Sequence, residues 1–223
     1  MFIGHYGPAF GLKPLCKPVP LWVLFIAVQW LDVVWSVLVF AGVEKLRIVP
    51  GFTQGSALDL YYMPYTHGLG GALALSLLLG AIVAACMGAA RARVFLVVAA
   101  AAFSHWLLDL LVHVPDLPLY DDSLKVGLGL WRHIWISLPL ELVFLGAGAW
   151  LYARYVPAQR PHGDRWVWLF VVALAALEIY NAFAPTPTAP KGMAVTALIA
   201  YGVLAALAGV VERARSGAKP RAR

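Results

Sequence analysis

The fold is decided by Val94-Phe-Leu-Val-Val-Ala-Ala-Ala-Ala-Phe-Ser104-His105-Trp-Leu-Leu-Asp109-Leu-Leu-Val-His113-Val114, a run in which only three side chains are ionisable. About 20 apolar residues span a bilayer as a helix, and this stretch is long enough. The three ionisable residues are spaced four and four. At 100° per residue, His105, Asp109 and His113 fall within about 80° of one another on one helix face. An apolar helix with a single polar stripe belongs inside a membrane bundle, with the stripe turned away from lipid.

The rest of the chain repeats that apolar character. Of 223 residues, 62% are hydrophobic and 13% are charged, against about 25% charged in ordinary soluble domains. A soluble globule, a disordered chain and a coiled coil are excluded. The expected fold is all-α, a polytopic membrane helix bundle of about six transmembrane helices. The charge-free runs place the spans at about Leu21–Val43, Tyr61–Ala90, Val94–Val114, His133–Ala153, Trp166–Phe183 and Gly192–Val211. Pro115 ends the third, and Pro185 and Pro187 close the fifth. Residues 1–17, with Gly4, Gly7, Pro8 and Gly11, read as a short interfacial or re-entrant helix rather than a cleaved signal. Residues 1–212 form one transmembrane domain, and 213–223 a basic cytoplasmic tail. Cys16 and Cys86 lie far apart in apolar surroundings and imply no disulfide framework.

Basic residues set the orientation. With the N-terminus inside, the inner loops and tail carry Lys13, Lys17, Arg91, Arg93, Arg154, Arg160, Arg165, Arg213, Arg215, Lys219, Arg221 and Arg223. The outer loops carry only Lys45, Arg47, Lys125, Arg132 and Lys191. Both termini are therefore expected in the cytoplasm. Trp22, Trp131, Trp150 and Trp166, near span ends, suit an aromatic belt. No folded basic domain accompanies the tail, so nucleic acid is not the expected partner.

An ionisable residue at the centre of a span costs about 2.5–3.5 kcal/mol on insertion scales and persists where it meets a partner, a metal or water. On one helix face, His-x3-Asp-x3-His suits a divalent ion or a two-metal site. Asp109 serves either as a ligand or as the acceptor that orients a ligating histidine. A hydrogen-bond cluster without metal is the alternative. Asp32, in Gln29-Trp30-Leu31-Asp32, lies roughly 16 Å along its helix, as deep as His105 in its own. It is read as a ligand, or as hydrogen-bonded to Ser or Trp on a neighbouring helix. His67, in Thr66-His67-Gly68, would bind at the outward side of the site, with Asp59 just before it. His5, taken by itself, reads as a surface histidine. Glu44 and Arg47 read as a surface ion pair. Glu141 and Glu178 are intramembrane acids, protonated or hydrogen-bonded to Ser137 and Asn181 respectively.

In order, these residues resemble a known family. His5, Asp32, Thr66-His67, Ser104-His105-x3-Asp109 and the following Pro118-Leu119-Tyr120 are similar to the bacterial membrane-bound metal-dependent hydrolases of the LexA-regulated inner-membrane type. The order also resembles, at motif level, zinc-dependent phospholipase C and the S1/P1-type nucleases. The resemblance covers roughly residues 1–120. It implies metal ligation by His5, Asp32, His67, His105 and Asp109, and a bacterial inner-membrane location. Leu31, Tyr62-Met63-Pro64-Tyr65 and the additional His113 depart from the family pattern.

The expected function is that of an integral-membrane hydrolase. One or two divalent ions, zinc by preference, are held within residues 1–116, with His113 as a sixth ligand candidate. Metal-activated water attacks a phosphoester or ester of a lipid-like substrate arriving laterally. Asp59 or Asp116 is the expected general base, and Arg47 or Lys45 the group that meets the head group. The rivals are a transporter or channel with a His/Asp path, and a non-enzymatic metal- or haem-binding membrane protein.

Overall fold

In lipid, an apolar run satisfies its backbone polar groups internally by forming a helix. The computed structural model describes residues 1–88, 90–186 and 188–216. A 3-10 turn at Ile3–His5 leads into α1 (Tyr6–Leu12), then α2 (Leu21–Val28) and α3 (Trp30–Phe40). A hairpin of β1 (Lys45–Ile48) and β2 (Leu58–Tyr62) precedes α4 (Leu69–Cys86) and α5 (Arg91–Val112). A second hairpin, β3 (Leu117–Tyr120) and β4 (Ser123–Val126), precedes α6 (Ile134–Tyr155), α7 (Asp164–Phe183) and α8 (Pro190–Ser216). Among the described residues, α4 to α8 are each long and apolar enough to cross a membrane. Helices α2 and α3 make a sixth candidate, bent by 53°. The chain is an all-α membrane helix bundle.

Three departures from the expected spans matter for the site. The first run breaks at Gln29, whose φ of −106° and ψ of 7° leave the helical region. The second begins late: Leu58–Tyr62 pairs as a strand, and His67 lies in the turn before α4. The third ends at Val112, so His113 caps α5 in an extended conformation. Pro187, Lys219, Arg221 and Arg223 lie outside the described residues. Arg213 and Arg215 lie in the last turn of α8, which runs to Ser216. Arg215 is buried, with Nε 2.7 Å from Asp164 and its guanidinium over the Tyr152 ring.

The N-terminal segment is inside the bundle. Ile3, Tyr6 and Phe10 are fully buried and share one core with Phe25, Leu145 and Tyr152. Helix α1 lies so close to α6 that Gly7 and Gly148 touch through their backbones; a Cβ at either would overlap the other helix. Both cysteines are free, Cys16 buried and Cys86 exposed.

Candidate metal centre

Six side chains from four parts of the chain, Asp109 among them, form one cluster. Helix α5 supplies His105 and Asp109 one turn apart, with Nε2 3.0 Å from Oδ2. His113, at the end of the same helix, brings its Nε2 to 3.6 Å from that oxygen. His67 comes from the turn before α4, 3.7 Å from Asp109 Oδ2 and 3.4 Å from Asp32 Oδ1. Asp32 stands in the first turn of α3, 3.6 Å from His105 Nε2. His5 approaches Asp109 Oδ1 at 3.2 Å, and its ring stacks on His105 with centroids 3.8 Å apart. The Met1 amine is 2.9 Å from the same Oδ1. His5 with His105 and Asp109, and Asp32 with His67 and His105, each place three ligand atoms within 4.8 Å of one another.

The outer partners of three histidines fix which nitrogen faces inward. His105 Nδ1 is 2.7 Å from the Val28 carbonyl. A carbonyl only accepts, so Nδ1 carries a proton, and in the neutral imidazole that leaves the lone pair on Nε2. Thr66 donates its hydroxyl to Glu44 Oε2 at 2.6 Å and accepts from His67 Nδ1 at 2.8 Å. Glu44 Oε1 also accepts the backbone N–H of Tyr65 and Thr66, which locks the turn. His113 Nδ1 donates to Asp116 Oδ1 at 2.9 Å. Three Nε2 atoms thus turn toward two carboxylates. Among the described residues, His105 Nε2 and both nitrogens of His5 find no well-formed hydrogen bond although they are buried. Lone pairs set against carboxylate oxygens repel unless a cation or proton lies between them. Imidazole Nε2 and carboxylate oxygen, with each Nδ1 hydrogen-bonded outward, suit zinc or a similar divalent ion. The residues fit such an ion.

Several partners had no signal in the sequence reading. Glu44 is not on the surface; it is 1% exposed and anchors Thr66. Tyr201, in the charge-free α8, donates to Asp32 Oδ2 at 2.7 Å. Trp106 Nε1 donates to the His67 carbonyl at 2.9 Å. Trp131 is not part of a belt; its ring lies 4.2 Å from that of His113. His-x3-Asp spacing reports one helix face, whereas these contacts come from other helices and need the fold.

The structure gives six further candidate residues these positions. Asp59 is held by Arg47 across the β1–β2 hairpin at 2.7 Å, so neither joins the cluster. Arg47 also stacks on Tyr61, and Lys45 lies over Tyr62. The strand pairing, unseen in the sequence, turns these side chains to the outside of the hairpin. Asp116 is buried beside His113, and its Oδ1 accepts from the Nδ1 of that residue. Glu141 accepts the backbone N–H of Phe2 and Gly4, not Ser137. Glu178 Oε2 has no hydrogen-bond partner among the described residues.

The cluster opens into a cavity of about 920 Å³. Asp32, His67, Asp109, His113, Glu141 and Glu178 line it. Tyr180, Asn181 and Thr196 at the facing ends of α7 and α8, and Gly51 and Gln54 in the β1–β2 loop, line it while exposed, so its mouth opens among these segments. Apolar Ile179, Phe183, Val195 and Ile199 stand exposed beside that mouth. Compared with known protein families, curated proteins and solved structures, the chain matches none of them.

Proposed function

We propose that this chain is an integral-membrane metal-dependent hydrolase of the kind its ordered His/Asp motifs resemble. The observation that carries the reading is the set of three imidazoles whose Nδ1 atoms are tied outward while their Nε2 atoms converge on Asp32 and Asp109 at the wall of a cavity. His5, Asp32, His67, His105, Asp109 and His113 hold one or two divalent ions, zinc by preference. When bound, such an ion supplies a Lewis acid and a water acidic enough to act as a nucleophile near neutral pH. The chain's own part is to fix the imidazoles, exclude bulk water and orient the substrate in the cavity.

A lipid-like ester or phosphoester is the substrate class. An apolar-flanked mouth beside two candidate spanning helices admits a molecule from the side. The basic end of the bundle, with Arg91, Arg93, Arg154, Arg160 and Arg165, faces the cytoplasm of a bacterial inner membrane, and the hairpin end faces outward.

The test is metal content and turnover of the detergent-purified protein. Wild type is expected to carry one or two zinc ions and to release product from a panel of phosphate and lipid esters. Asp109→Ala and His105→Ala are expected to lose both. Metal content unchanged in both variants overturns the site, and a Soret band in the wild-type spectrum overturns the hydrolase.

A further inference from the structure

The cavity wall is chemically lopsided. It carries four carboxylates, Asp32, Asp109, Glu141 and Glu178, and no Lys or Arg among the described residues. Each of the first three is already met. Asp32 takes the Tyr201 hydroxyl, Asp109 faces the histidines and the Met1 amine, and Glu141 takes two backbone N–H groups. Glu178 is different. It is 6% exposed and lines the cavity; the Ile3 backbone N–H approaches its carboxyl, yet its Oε2 has no hydrogen-bond partner among the described residues. A buried carboxylate oxygen without a donor is costly, and native structures rarely leave one unless something outside the chain completes it.

We propose that Glu178 is the recognition point for a cationic amine on the substrate. Glu141 beside it adds negative potential, and Asn181, one turn along α7, adds a polar group at the mouth. The aromatic wall suits the same ligand: Trp35, Trp131, Tyr180 and Tyr201 all line the cavity, and ring faces attract ammonium groups. An anionic head group, such as phosphoglycerol, meets the Glu178 carboxylate and no Lys or Arg side chain, and the Met1 amine that also lines the cavity is already taken by Asp109. This inference rests on the metal-hydrolase reading for the position of the scissile bond. It narrows the substrate to an ester whose far side carries an ammonium, as in a phosphoethanolamine head group.

Binding tests this separately from catalysis. The full chain in detergent is titrated calorimetrically with dihexanoyl phosphatidylethanolamine and with dihexanoyl phosphatidylglycerol, which share their tails and differ in the head group. Wild type is expected to prefer the ethanolamine lipid by about tenfold or more, the worth of one charge-assisted hydrogen bond. Glu178→Gln, which keeps the shape and removes the charge, is expected to bring the two affinities within about threefold. Glu178→Asp is expected to keep part of the preference. Hexylamine, which carries the ammonium without the phosphodiester, is expected to compete in wild type and not in Glu178→Gln. Equal affinities in wild type, or an undiminished preference in Glu178→Gln, overturn the subsite. Tight, amine-selective binding without turnover sinks the hydrolase and leaves the subsite standing. Turnover without head-group preference does the reverse.

Discussion

His105 on α5 donates its Nδ1 proton to the carbonyl of Val28, the last residue of α2, at 2.7 Å. In an unbroken helix that carbonyl would bond the N–H four residues on, at Asp32. The break at Gln29 leaves it free, as helix ends leave their last carbonyls. One backbone feature therefore orients a histidine and starts the helix whose first turn bears Asp32. Gln29 itself is buried and donates from Nε2 to the Phe2 carbonyl at 3.2 Å. Gln29→Leu removes that donor and favours a continuous helix. It is expected to lower stability by about 1–3 kcal/mol, the cost of an unsatisfied buried group, and to release metal. Thermal denaturation and metal analysis of the variant check this. A variant as stable and as metal-loaded as wild type would separate the break from the site.

The Glu44–Thr66–His67 chain is expected to tune metal affinity without contact. Thr66→Val removes both the acceptor for His67 Nδ1 and the donor to Glu44. Loss of such an outer partner costs about 10–100-fold in metal affinity. Thr66→Ser keeps the hydroxyl and is expected to restore most of it. Competition against a zinc chelator measures all three proteins. Equal affinity in Thr66→Val would mean that His67 does not bind the ion through Nε2.

Tyr201 gives a gentler probe. Its hydroxyl is the donor to Asp32 Oδ2, and Tyr201→Phe deletes that bond while keeping the ring. The expected stability change is about 1 kcal/mol. Asp32 then loses an anchor, and metal affinity is expected to fall by less than in Asp32→Ala. Metal release with full retention of fold, followed by chelator titration and circular dichroism, distinguishes this from a packing defect. Identical affinity in Tyr201→Phe and wild type would show that α8 does not support the cluster.

Much of this arrangement was legible in the sequence because lipid restricts the choices. Long charge-free runs give helices, and the few ionisable residues within them mark the interior. The α5 stripe follows from a period of 3.6 residues alone. What failed was whatever depends on a partner far along the chain. Glu44 and Arg47 sit at helix spacing and read as a pair, yet β1 sends them apart, Arg47 to Asp59 and Glu44 to Thr66. Tyr201 carries no charge and so gave no signal. The hairpins are short strands beside apolar spans, where helix and strand patterns blur.

The last expectation concerns the seat of His5. This histidine closes a 3-10 turn and leads into α1, which is seven residues long and too short to persist alone. Its position depends on backbone contact with α6. A Cβ built on Gly7 runs into the Phe144 carbonyl, and one on Gly148 runs into the Gly7 carbonyl. Neither obstacle is a flexible side-chain tip, so a helix must move. Gly7→Ala and Gly148→Ala are each expected to destabilise by about 1–3 kcal/mol or more, as overpacking does. Gly11→Ala is the control, because its nearest neighbour would be the Leu151 side chain at 3.6 Å, an ordinary contact. If α1 shifts away from α6, His5 leaves Asp109 and its stack on His105. Metal affinity should then fall in Gly7→Ala and Gly148→Ala but hold in Gly11→Ala. The same loss in all three would point to general disruption. No loss in the first two would take His5 out of the metal shell.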